Sequence, residues 1–560
     1  MNSITFFINI ATKLSAPIPE SDFNHIKDHV DNKVPKHTYF HIPLITEDKT
    51  RKYLNSLDIS KATGLDQLGP RLLKMSTNII TSDVTRIINL SINNGIFPDT
   101  WKHAKVSPLF KSGSPADINN YRPISILPTL SKIIEKHVHE SFVLYLNNHK
   151  LLCETQSGFR KHHSCETALV HMIDKWLGAL NEGKYVGCVM LDFRKAFDII
   201  NIPILCKKLE LYKCHKSALK WFESYLTNRK QIITVNGENS RNLNTICGVP
   251  QGSILGPLLF LIFINDLPMC LKNTVTNTDM YADDTTIVDI GTSKNNIQHN
   301  LQVALKILQT WCVNNGMVLN PSKTKVLLIT TSQKRSRLLD SDSLSLKYDN
   351  ISLDITTGDK VLGVYINQNL KWDTHISYIR KKISTNLWLL SRIKSNIPLD
   401  YRIVYYKAYI QPHIDYCNII WGNTKQSNLN RLLLLQKRAC RIILGHEYTT
   451  FEDAMLRINA LTINQRIFLQ KAKFMYRVFN SHTPPYIKDL FQCHTHSRRS
   501  LRSNNSFNFI IPKPNLELFK ESISYSGTVL WNSIPTETRI SNTIQQFTIK
   551  CENWMRRVNL

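Results

Sequence analysis

Three aspartates occupy positions in this sequence where carboxylates could bind metal ions. Asp192 directly follows the apolar run 186–191, which is typical of a buried strand. Asp283 and Asp284 lie between the strand-like segments 280–281 and 285–288, at the tip of a predicted hairpin. Carboxylates crowded in this way need a compensating cation, and a pair of divalent ions is the usual arrangement for phosphoryl transfer. Considered alone, however, an Asp-Asp pair is more often a simple turn.

The elements that must position these acids alternate between helices and strands. Apolar periodicity predicts helices over 129–148, 164–182, 203–227 and 294–315, and a buried helix over 253–267. The strand-like segment 231–235 precedes Asn236-Gly237, a hairpin turn signal. This order of elements predicts an α+β fold with antiparallel strand pairing.

Charge provides the second clue to function. The chain has 560 residues, of which 42% are hydrophobic and 20% charged, as in an ordinary globular protein. Its formal net charge of +27 favours polyanionic partners, nucleic acid above all. The longest apolar run, 254–264, is shorter than the ~20 residues of a membrane span, so we expect no transmembrane helix. The amino terminus lacks the basic residues of a secretory signal.

The twelve cysteines are scattered and contain no C-x2-C pair, which argues against a zinc knuckle. We expect free thiols in a reducing compartment. Cys493, His494 and His496 come nearest to a metal cluster, but they have no second ligand pair.

Eight short motifs occur in one order along the chain, and together they resemble the reverse transcriptases of non-LTR (long interspersed element) retrotransposons of the jockey and chicken-repeat kind. The motifs are 61–66 (KATGLD), 120–125 (NYRPIS), 156–160 (QSGFR), 189–198 (VMLDFRKAFD), 248–253 (GVPQGS), 281–284 (YADD), 319–324 (LNPSKT) and 362–364 (LGV). The resemblance covers about residues 46 to 445. YADD alone is weak, whereas the ordered set is specific.

The resemblance implies a right-hand polymerase with fingers, an antiparallel palm and a helical thumb, followed by a helical or irregular C-terminal region. In such an enzyme Asp192 and Asp283 would bind two Mg²⁺ ions, with Mn²⁺ as an alternative, and Asp284 would lie beside them. The backbone carbonyl of Phe193 would be a further metal ligand. The ions would activate a primer 3′-OH and stabilise the charge on a nucleoside triphosphate.

The resemblance also implies roles around the incoming nucleotide. Phe197 would exclude a 2′-OH and so select dNTPs, although a buried ring is the commonest fate of Phe. Gln251 would touch nucleotide and template, and Gly252 would allow close backbone approach. Lys323 would act on the leaving pyrophosphate, with an exposed surface lysine as the equally weighted alternative.

Two arginines in the fingers motifs, Arg122 and Arg160, could clamp the triphosphate, because a guanidinium donates bidentately to phosphate. Lys105 and Lys111 are weaker candidates of the same kind.

The resemblance and the composition together predict the domain organisation. We expect a linker or N-terminal tail over 1–45, a helical extension of the fingers over 46–104 and fingers and palm over 105–370. A basic helical thumb would cover 371–480 and a less regular tail 481–560. Basic residues and Trp388, Tyr401 and Tyr409 are interleaved in the thumb segment, where they could hold a nucleic-acid backbone.

The expected function is an RNA-directed DNA polymerase whose partners are an RNA template, a DNA primer or target DNA, and dNTPs. Use of a chromosomal primer would require nuclear access, so we expect a nuclear and cytoplasmic protein. The oligomeric state is not predicted. Segment 7–14 resembles the linker that follows an endonuclease in related elements, so we expect the chain to lack that nuclease.

Two alternatives stay open. The chain could be an inactive or domesticated nucleic-acid-binding relic of the element, which would bind a hybrid without adding nucleotides. A viral RNA polymerase is the other alternative; it would have to incorporate rNTPs, and Phe197 disfavours it.

Overall fold

The computed structural model describes residues 23–272, 274–337, 344–493 and 507–558. The α-helices are Asn24–Asp31, Glu47–Asn55, Pro70–Met75, Thr77–Asn94, Thr129–Asn148, Cys165–Asn181, Ile202–Leu211, Lys216–Leu226, Leu255–Ile264, Leu267–Leu271, Lys294–Asn315, Ser332–Arg335, Asp373–Ile393, Leu399–Tyr405, Gln411–Asp415, Asn418–Trp421, Gln426–Leu444, Phe451–Arg457, Ile463–Phe479, Pro485–Lys488, Ile523–Ser533, Thr536–Arg539 and Ile544–Arg557. A π-helical turn, Tyr406–Ile410, joins two of them.

The strands are β1 (His103–Phe110), β2 (Tyr121–Ile126), β3 (Tyr185–Leu191), β4 (Arg229–Val235), β5 (Glu238–Asn239), β6 (Leu243–Thr245), β7 (Asn277–Tyr281), β8 (Asp284–Gly291), β9 (Lys325–Ile329), β10 (Lys347–Tyr348), β11 (Ile351–Ser352), β12 (Asp354–Ile355), β13 (Gly358–Val361) and β14 (Val364–Asn367). This mixture of helices and sheets confirms the predicted combination of α and β structure.

A central five-stranded sheet has the strand order β12-β9-β3-β8-β7. All neighbours are antiparallel except β12 and β9. Successive side chains of a strand point to opposite faces. Accordingly Val189 and Leu191 of β3 belong to one hydrophobic cluster, and Val186 and Cys188 belong to another. The central sheet therefore separates two cores and is covered on both faces.

The two cores recruit different parts of the chain. The first contains the helices before residue 272 other than Cys165–Asn181, together with the helix Lys294–Asn315. The second contains the helix Cys165–Asn181 and most helices after residue 372. In the first core, the helix Leu255–Ile264 is buried almost all round, which explains its uniformly apolar sequence.

A second sheet lies beside the first core, with the order β2-β1-β4-β5 and β6 paired to β4. The predicted hairpin turn is confirmed here: Asn236 and Gly237 have φ of 52° and 87° and connect β4 to β5. Positive φ at both central residues suits Asn-Gly and matches the twist of the flanking strands.

Local signals set several helix boundaries close to those predicted. Ser164 and Thr167 form a capping box at the start of Cys165–Asn181, which satisfies two otherwise unpaired N–H groups. Lys294–Asn315 ends at Gly316, whose φ is 63°, a conformation that glycine adopts easily. Among the described helices, none is both long and apolar enough to cross a bilayer.

The structure differs from expectation at both ends of the described chain. Within 23–45 we expected irregular structure, yet the helix Asn24–Asp31 packs Ile26 and Val30 into the first core. Segment 7–14 lies outside the described residues. Within 507–558 we expected a less regular tail, yet helices bury Trp531 and Phe547 in the second core. Proline-rich connections hid these short helices from periodicity, because each offers only two or three apolar turns.

Candidate active site

Strand register brings the acids together at one end of the central sheet. Leu191 of β3 pairs with Thr285 of β8. Because the two strands are antiparallel, the next residue, Asp192, lies opposite Asp284. Asp284 in turn pairs with Tyr281 across the hairpin, which leaves Asp283 in the two-residue turn. Paired residues on neighbouring antiparallel strands lie ~5 Å apart. The structure therefore places the three predicted carboxylates around one spot.

A side chain from outside the β7–β8 hairpin stabilises the turn that carries Asp283. Ala282 has φ of 57°, an uncommon conformation for a residue with a Cβ atom. Gln156 binds both of its backbone groups: Oε1 accepts from the Ala282 N–H at 2.9 Å and Nε2 donates to its carbonyl at 3.2 Å. A left-handed residue persists when its surroundings specify it in this way. Gln156 lies in the motif 156–160, from which the sequence predicts no role for it.

Gly158 explains why the same motif needs glycine. A Cβ atom there would lie 2.4 Å from the backbone nitrogen of Ala282, closer than non-bonded atoms approach. The absence of a side chain at position 158 lets the 156–160 turn pack directly on the β7–β8 hairpin.

Asp192 is anchored by the segment that precedes β9. The Asn320 side chain donates to Asp192 Oδ2 at 3.2 Å, and the Asn320 N–H donates to the Asp192 carbonyl at 2.8 Å. Thr324 Oγ1 accepts from the Asp192 N–H at 3.4 Å. Sequence reasoning had singled out Lys323 in this segment and missed Asn320, although its motif was visible.

Burial and charge act together on the acids. Burial raises the pKa of Asp283, and the neighbouring Asp192 raises it further, whereas the positive charges of Lys111 and Arg122 lower it. Desolvation and the charges of Asp283 and Asp192 raise the pKa of Asp284 to about 6. The site thus concentrates negative charge and faces two cations on the β1–β2 hairpin.

Two further lysines lie at the edge of this site. Lys195 is half-buried, and its Nζ donates to the Tyr121 carbonyl at 3.4 Å. Burial lowers the pKa of Lys195; Asp198 opposes that effect, and the charges of Lys111 and Lys323 add to it. Lys323 is exposed and near enough to influence Lys195.

Phe197 is the residue predicted to exclude a 2′-OH. Its half-buried ring stacks on Phe260, with centroids 4.2 Å apart and an interplanar angle of 18°. Phe260 is fully buried and gives Phe197 a rigid support. The exposed Phe159 lies edge-on to Phe197 at 6.2 Å. Phe193, by contrast, is buried and forms an antiparallel β-bridge with Leu319.

The Pro-Gln-Gly turn packs against β2. Gln251 accepts from the Ser125 N–H at 2.7 Å through its carbonyl, and its side chain donates to Asp198 Oδ1 at 2.7 Å. Gly252 has φ of 125°, and a Cβ atom there would lie 2.3 Å from the Ser125 oxygen. Gln251 and Gly252 are thus joined to the strand that carries Arg122.

The Arg160 guanidinium, unlike that of Arg122, is bound to backbone carbonyl groups of the segment that precedes it. Its Nη1 donates to the carbonyls of Cys153 and Gln156, at 2.6 and 3.0 Å. This contact braces the turn that carries the Gln156 clamp. The cations whose charge reaches Asp283 and Asp284 are Lys111 and Arg122.

A basic groove runs between the helices Asp373–Ile393 and Gln426–Leu444. It is lined by Ser377, Arg380, Lys381, Ser384, Thr385, Trp388 and Arg431. The Trp388 side chain is 53% exposed, with the Arg392 guanidinium over its ring. Exposed rings beside cations suit nucleic acid, because bases and sugars can pack on the ring while the cations bind phosphate.

Residues 110–366 match the family described as "Reverse transcriptase (RNA-dependent DNA polymerase)". This part of the chain is therefore similar to reverse transcriptases. All three acids, the Gln156 clamp and the Pro-Gln-Gly turn lie inside it.

Three relatives extend this similarity beyond residues 110–366. The chain is 28% identical over 445 residues to the "Probable RNA-directed DNA polymerase from transposon BS" of Drosophila melanogaster, covering 77% of this chain and 48% of that protein. It is 26% identical to the polymerase from mobile element jockey of the same species, covering 76% and 46%. It is 27% identical to the probable polymerase from transposon X-element of the same species, covering 70% of this chain and 43% of that protein. These similarities confirm the predicted resemblance to non-LTR retrotransposon reverse transcriptases. The chain spans less than half the length of each of these relatives.

Proposed function

We propose that this chain is an RNA-directed DNA polymerase that adds dNTPs to a primer 3′-OH by two-metal nucleotidyl transfer. The observation that carries the proposal is the convergence of Asp192, Asp283 and Asp284 at one sheet end, opposite Lys111 and Arg122. The reverse transcriptase domain and the names of the relatives support it.

The donor set fits Mg²⁺ or Mn²⁺ in the presence of substrate. Among the described residues, no three His, Cys, Asp or Glu side chains are grouped closely enough to enclose a metal ion. Mg²⁺, however, is commonly held by one or two carboxylates together with substrate phosphates. Asp192 and Asp283 would supply the carboxylates, with Asp284 beside them and the Phe193 carbonyl as a further oxygen. When bound, the ions would activate the 3′-OH and neutralise the leaving pyrophosphate.

The remaining contacts to the nucleotide come from the protein. In our proposal Arg122 and Lys111 bind the triphosphate, because their charges already face the acids. Arg160 supports them indirectly by bracing the 156–160 turn. Lys323 neutralises or protonates the pyrophosphate from the edge of the site.

Sugar and base recognition would rest on two further residues. Phe197, supported by Phe260, blocks the space of a 2′-OH and selects dNTPs. Gln251 contacts the nucleotide and the template, while Gly252 keeps the turn close to β2.

The right-hand architecture is also part of this proposal. The β1–β2–β4 sheet with the helices of 46–104 would be the fingers, and the central sheet would be the palm. The basic helices of 371–480 would be the thumb, with the Arg380–Trp388 groove against the phosphates of the template–primer duplex. Partners would be an RNA template and a DNA primer or target DNA. A chromosomal primer would place the protein in the nucleus as well as the cytoplasm.

Primer extension tests the proposal. The purified chain is given poly(rA)–oligo(dT) and dTTP, with and without Mg²⁺, beside Asp192→Ala and Asp283→Ala. Asp354→Ala is the matched control, because Asp354 is an exposed carboxylate at the far edge of the same sheet. We expect metal-dependent extension that both active-site variants abolish and the control retains.

Hybrid binding is measured on the same samples. Binding without extension by the wild-type chain would favour the inactive binding protein instead. Extension retained in Asp192→Ala or Asp283→Ala would refute the assignment of the metal ligands.

A further inference from the structure

The helix Cys165–Asn181 links the palm sheet to the C-terminal region. One face of this helix packs on β3 and β7 of the palm. Another face meets the segments 485–488 and 515–524, which lie more than 300 residues further along the chain. The residues on that face have helical spacing and are Thr167, His171, Asp174 and Asn181.

The contacts along this face are buried and specific. Asp174 accepts from the Ile523 and Ser524 N–H groups at 2.7 and 3.1 Å, so it caps the helix Ile523–Ser533. Asn181 accepts from the Asn515 N–H at 2.7 Å. A carboxylate at a helix N-terminus stabilises the docked arrangement. The C-terminal region is therefore an integral part of the fold around the palm.

Tyr486 of the C-terminal region contacts both the helix Cys165–Asn181 and the segment that precedes it. Its side chain is only 6% exposed. Its hydroxyl forms a hydrogen bond with Ser157 Oγ at 2.7 Å and donates to Thr167 Oγ1 at 3.4 Å. Its ring packs on His171, with centroids 4.6 Å apart.

Ser157 is in direct contact with the catalytic hairpin. Its N–H donates to the Met280 carbonyl at 2.8 Å, and the Met280 N–H donates to the Thr155 carbonyl at 3.1 Å. The segment 155–157 thus pairs with the outer side of β7. Its neighbour Gln156 clamps Ala282, immediately before Asp283.

His171 holds the same hairpin at a second point. Its Nδ1 lies 2.8 Å from Oδ1 of Asp279 on β7, and both side chains are largely buried. Tyr486 therefore touches both supports of β7, through Ser157 and through the His171 ring.

We infer that Tyr486 is a positioning residue for the polymerase reaction, and that the C-terminal region sets the alignment of Asp283 through it. This inference rests on the proposed function. Loss of the hydroxyl removes a buried hydrogen bond from Ser157 and leaves its Oγ to reorient. The 155–158 segment can then shift against the hairpin, and a displacement of ~1 Å at an active site costs ~100-fold in rate.

The test compares two single-hydroxyl deletions in the full chain. Tyr486→Phe removes the contact to Ser157. Tyr476→Phe is the matched control: Tyr476 is 2% exposed in the same helical region, and its hydroxyl donates to the Ser541 carbonyl at 2.7 Å.

We expect Tyr486→Phe to lower kcat for dTTP by ~10-fold or more and to raise the Mg²⁺ concentration for half-maximal rate. The KM for template–primer should stay unchanged. Tyr476→Phe should lower the free energy of unfolding and leave kcat and the Mg²⁺ dependence unchanged. Equal kcat and Mg²⁺ dependence in the two variants would overturn the inference.

A second readout does not require activity. Amide hydrogen exchange of peptides covering 277–285 should quicken in Tyr486→Phe and in Ser157→Ala, but not in Tyr476→Phe. The double variant should add little to either single variant, because both remove the same contact. If wild-type protein does not extend primers, the proposed function fails while exchange still decides the role of Tyr486. Unchanged exchange in Tyr486→Phe would overturn the inference even in an active enzyme.

Discussion

The side-chain amide of Gln156 binds both backbone polar groups of Ala282, the residue immediately before Asp283. The left-handed conformation of Ala282 costs a residue with a Cβ atom ~1–2 kcal/mol. Gln156 Oε1 also accepts from the Gly158 N–H at 2.8 Å, so one side chain joins the 156–160 turn to the β7–β8 hairpin.

Gln156→Ala should therefore impair catalysis more than folding. We expect kcat to fall by ~10–100-fold, because Asp283 loses its fixed position. Single-turnover primer extension measures the chemical step.

Gln436→Ala is the matched control for that variant. Gln436 is equally buried and bonds to the Tyr406 hydroxyl and to the Leu461 and Ile463 backbones in the second core. It should lower the free energy of unfolding and leave kcat within about twofold, because it lies outside the catalytic hairpin. A similar kcat for both variants would contradict a special role for the clamp.

Phe197→Ala should relax sugar selection, because it removes the ring that we propose lies beside the sugar. The ratio of kcat/KM for dTTP to that for UTP should fall by at least ~10-fold. Phe468→Ala is the control, since Phe468 is a half-buried ring against Trp554, far along the chain. An unchanged ratio in Phe197→Ala would mean that the ring serves packing alone.

Gly252→Ala should disrupt the contact between the Pro-Gln-Gly turn and β2. The new Cβ atom would overlap the Ser125 oxygen, in addition to the strain of a positive φ. Gly237→Ala carries a comparable backbone strain, at φ of 87°, with open space around the new atom.

The comparison separates strain from overlap. Gly237→Ala should cost ~1 kcal/mol of unfolding free energy. Gly252→Ala should cost clearly more and abolish primer extension. Equal urea midpoints for the two variants would show that the turn adapts to the extra atom.

Asp198 should make stability depend on pH in a defined direction. Burial raises its pKa to about 6, while its hydrogen bond from Gln251 and the charge of Lys195 oppose the rise. Since its pKa in the folded state exceeds the unfolded value of ~4, the wild-type chain loses stability as pH rises from 4 to 6. Relative to Asp198→Asn, we expect a loss of at most ~3 kcal/mol across that window, measured by urea unfolding.

Asp58 is a control for which the pH dependence of stability has the opposite sign. Hydrogen bonds from Ser60 lower its pKa, so its contribution is present at neutral pH and is lost on acidification below 4. Wild-type stability relative to Asp58→Asn should thus fall toward acid pH. A pH profile for Asp198→Asn that parallels the wild type would refute the assignment to Asp198.

Local sequence signals were sufficient to predict several of the helix boundaries and the three acids of the candidate site. Strand endings, turn residues and the order of eight motifs predicted Asp192, Asp283 and Asp284 as a group and the resemblance to non-LTR retrotransposon reverse transcriptases, because these features are written in short stretches of chain. Helix boundaries near 129–148, 165–181 and 294–315 followed from period and capping, which are also local.

Tertiary structure alone decided how these pieces support one another. The register of Leu191 against Thr285 brings the acids together, and Gln156 meets Ala282 across 126 positions of chain. The Tyr486–Ser157 contact spans 329 positions, and the helices after 507 proved to be core rather than tail. Such contacts depend on how distant faces pack after the chain has folded, and neither side-chain period nor motif spacing encodes which surfaces will meet.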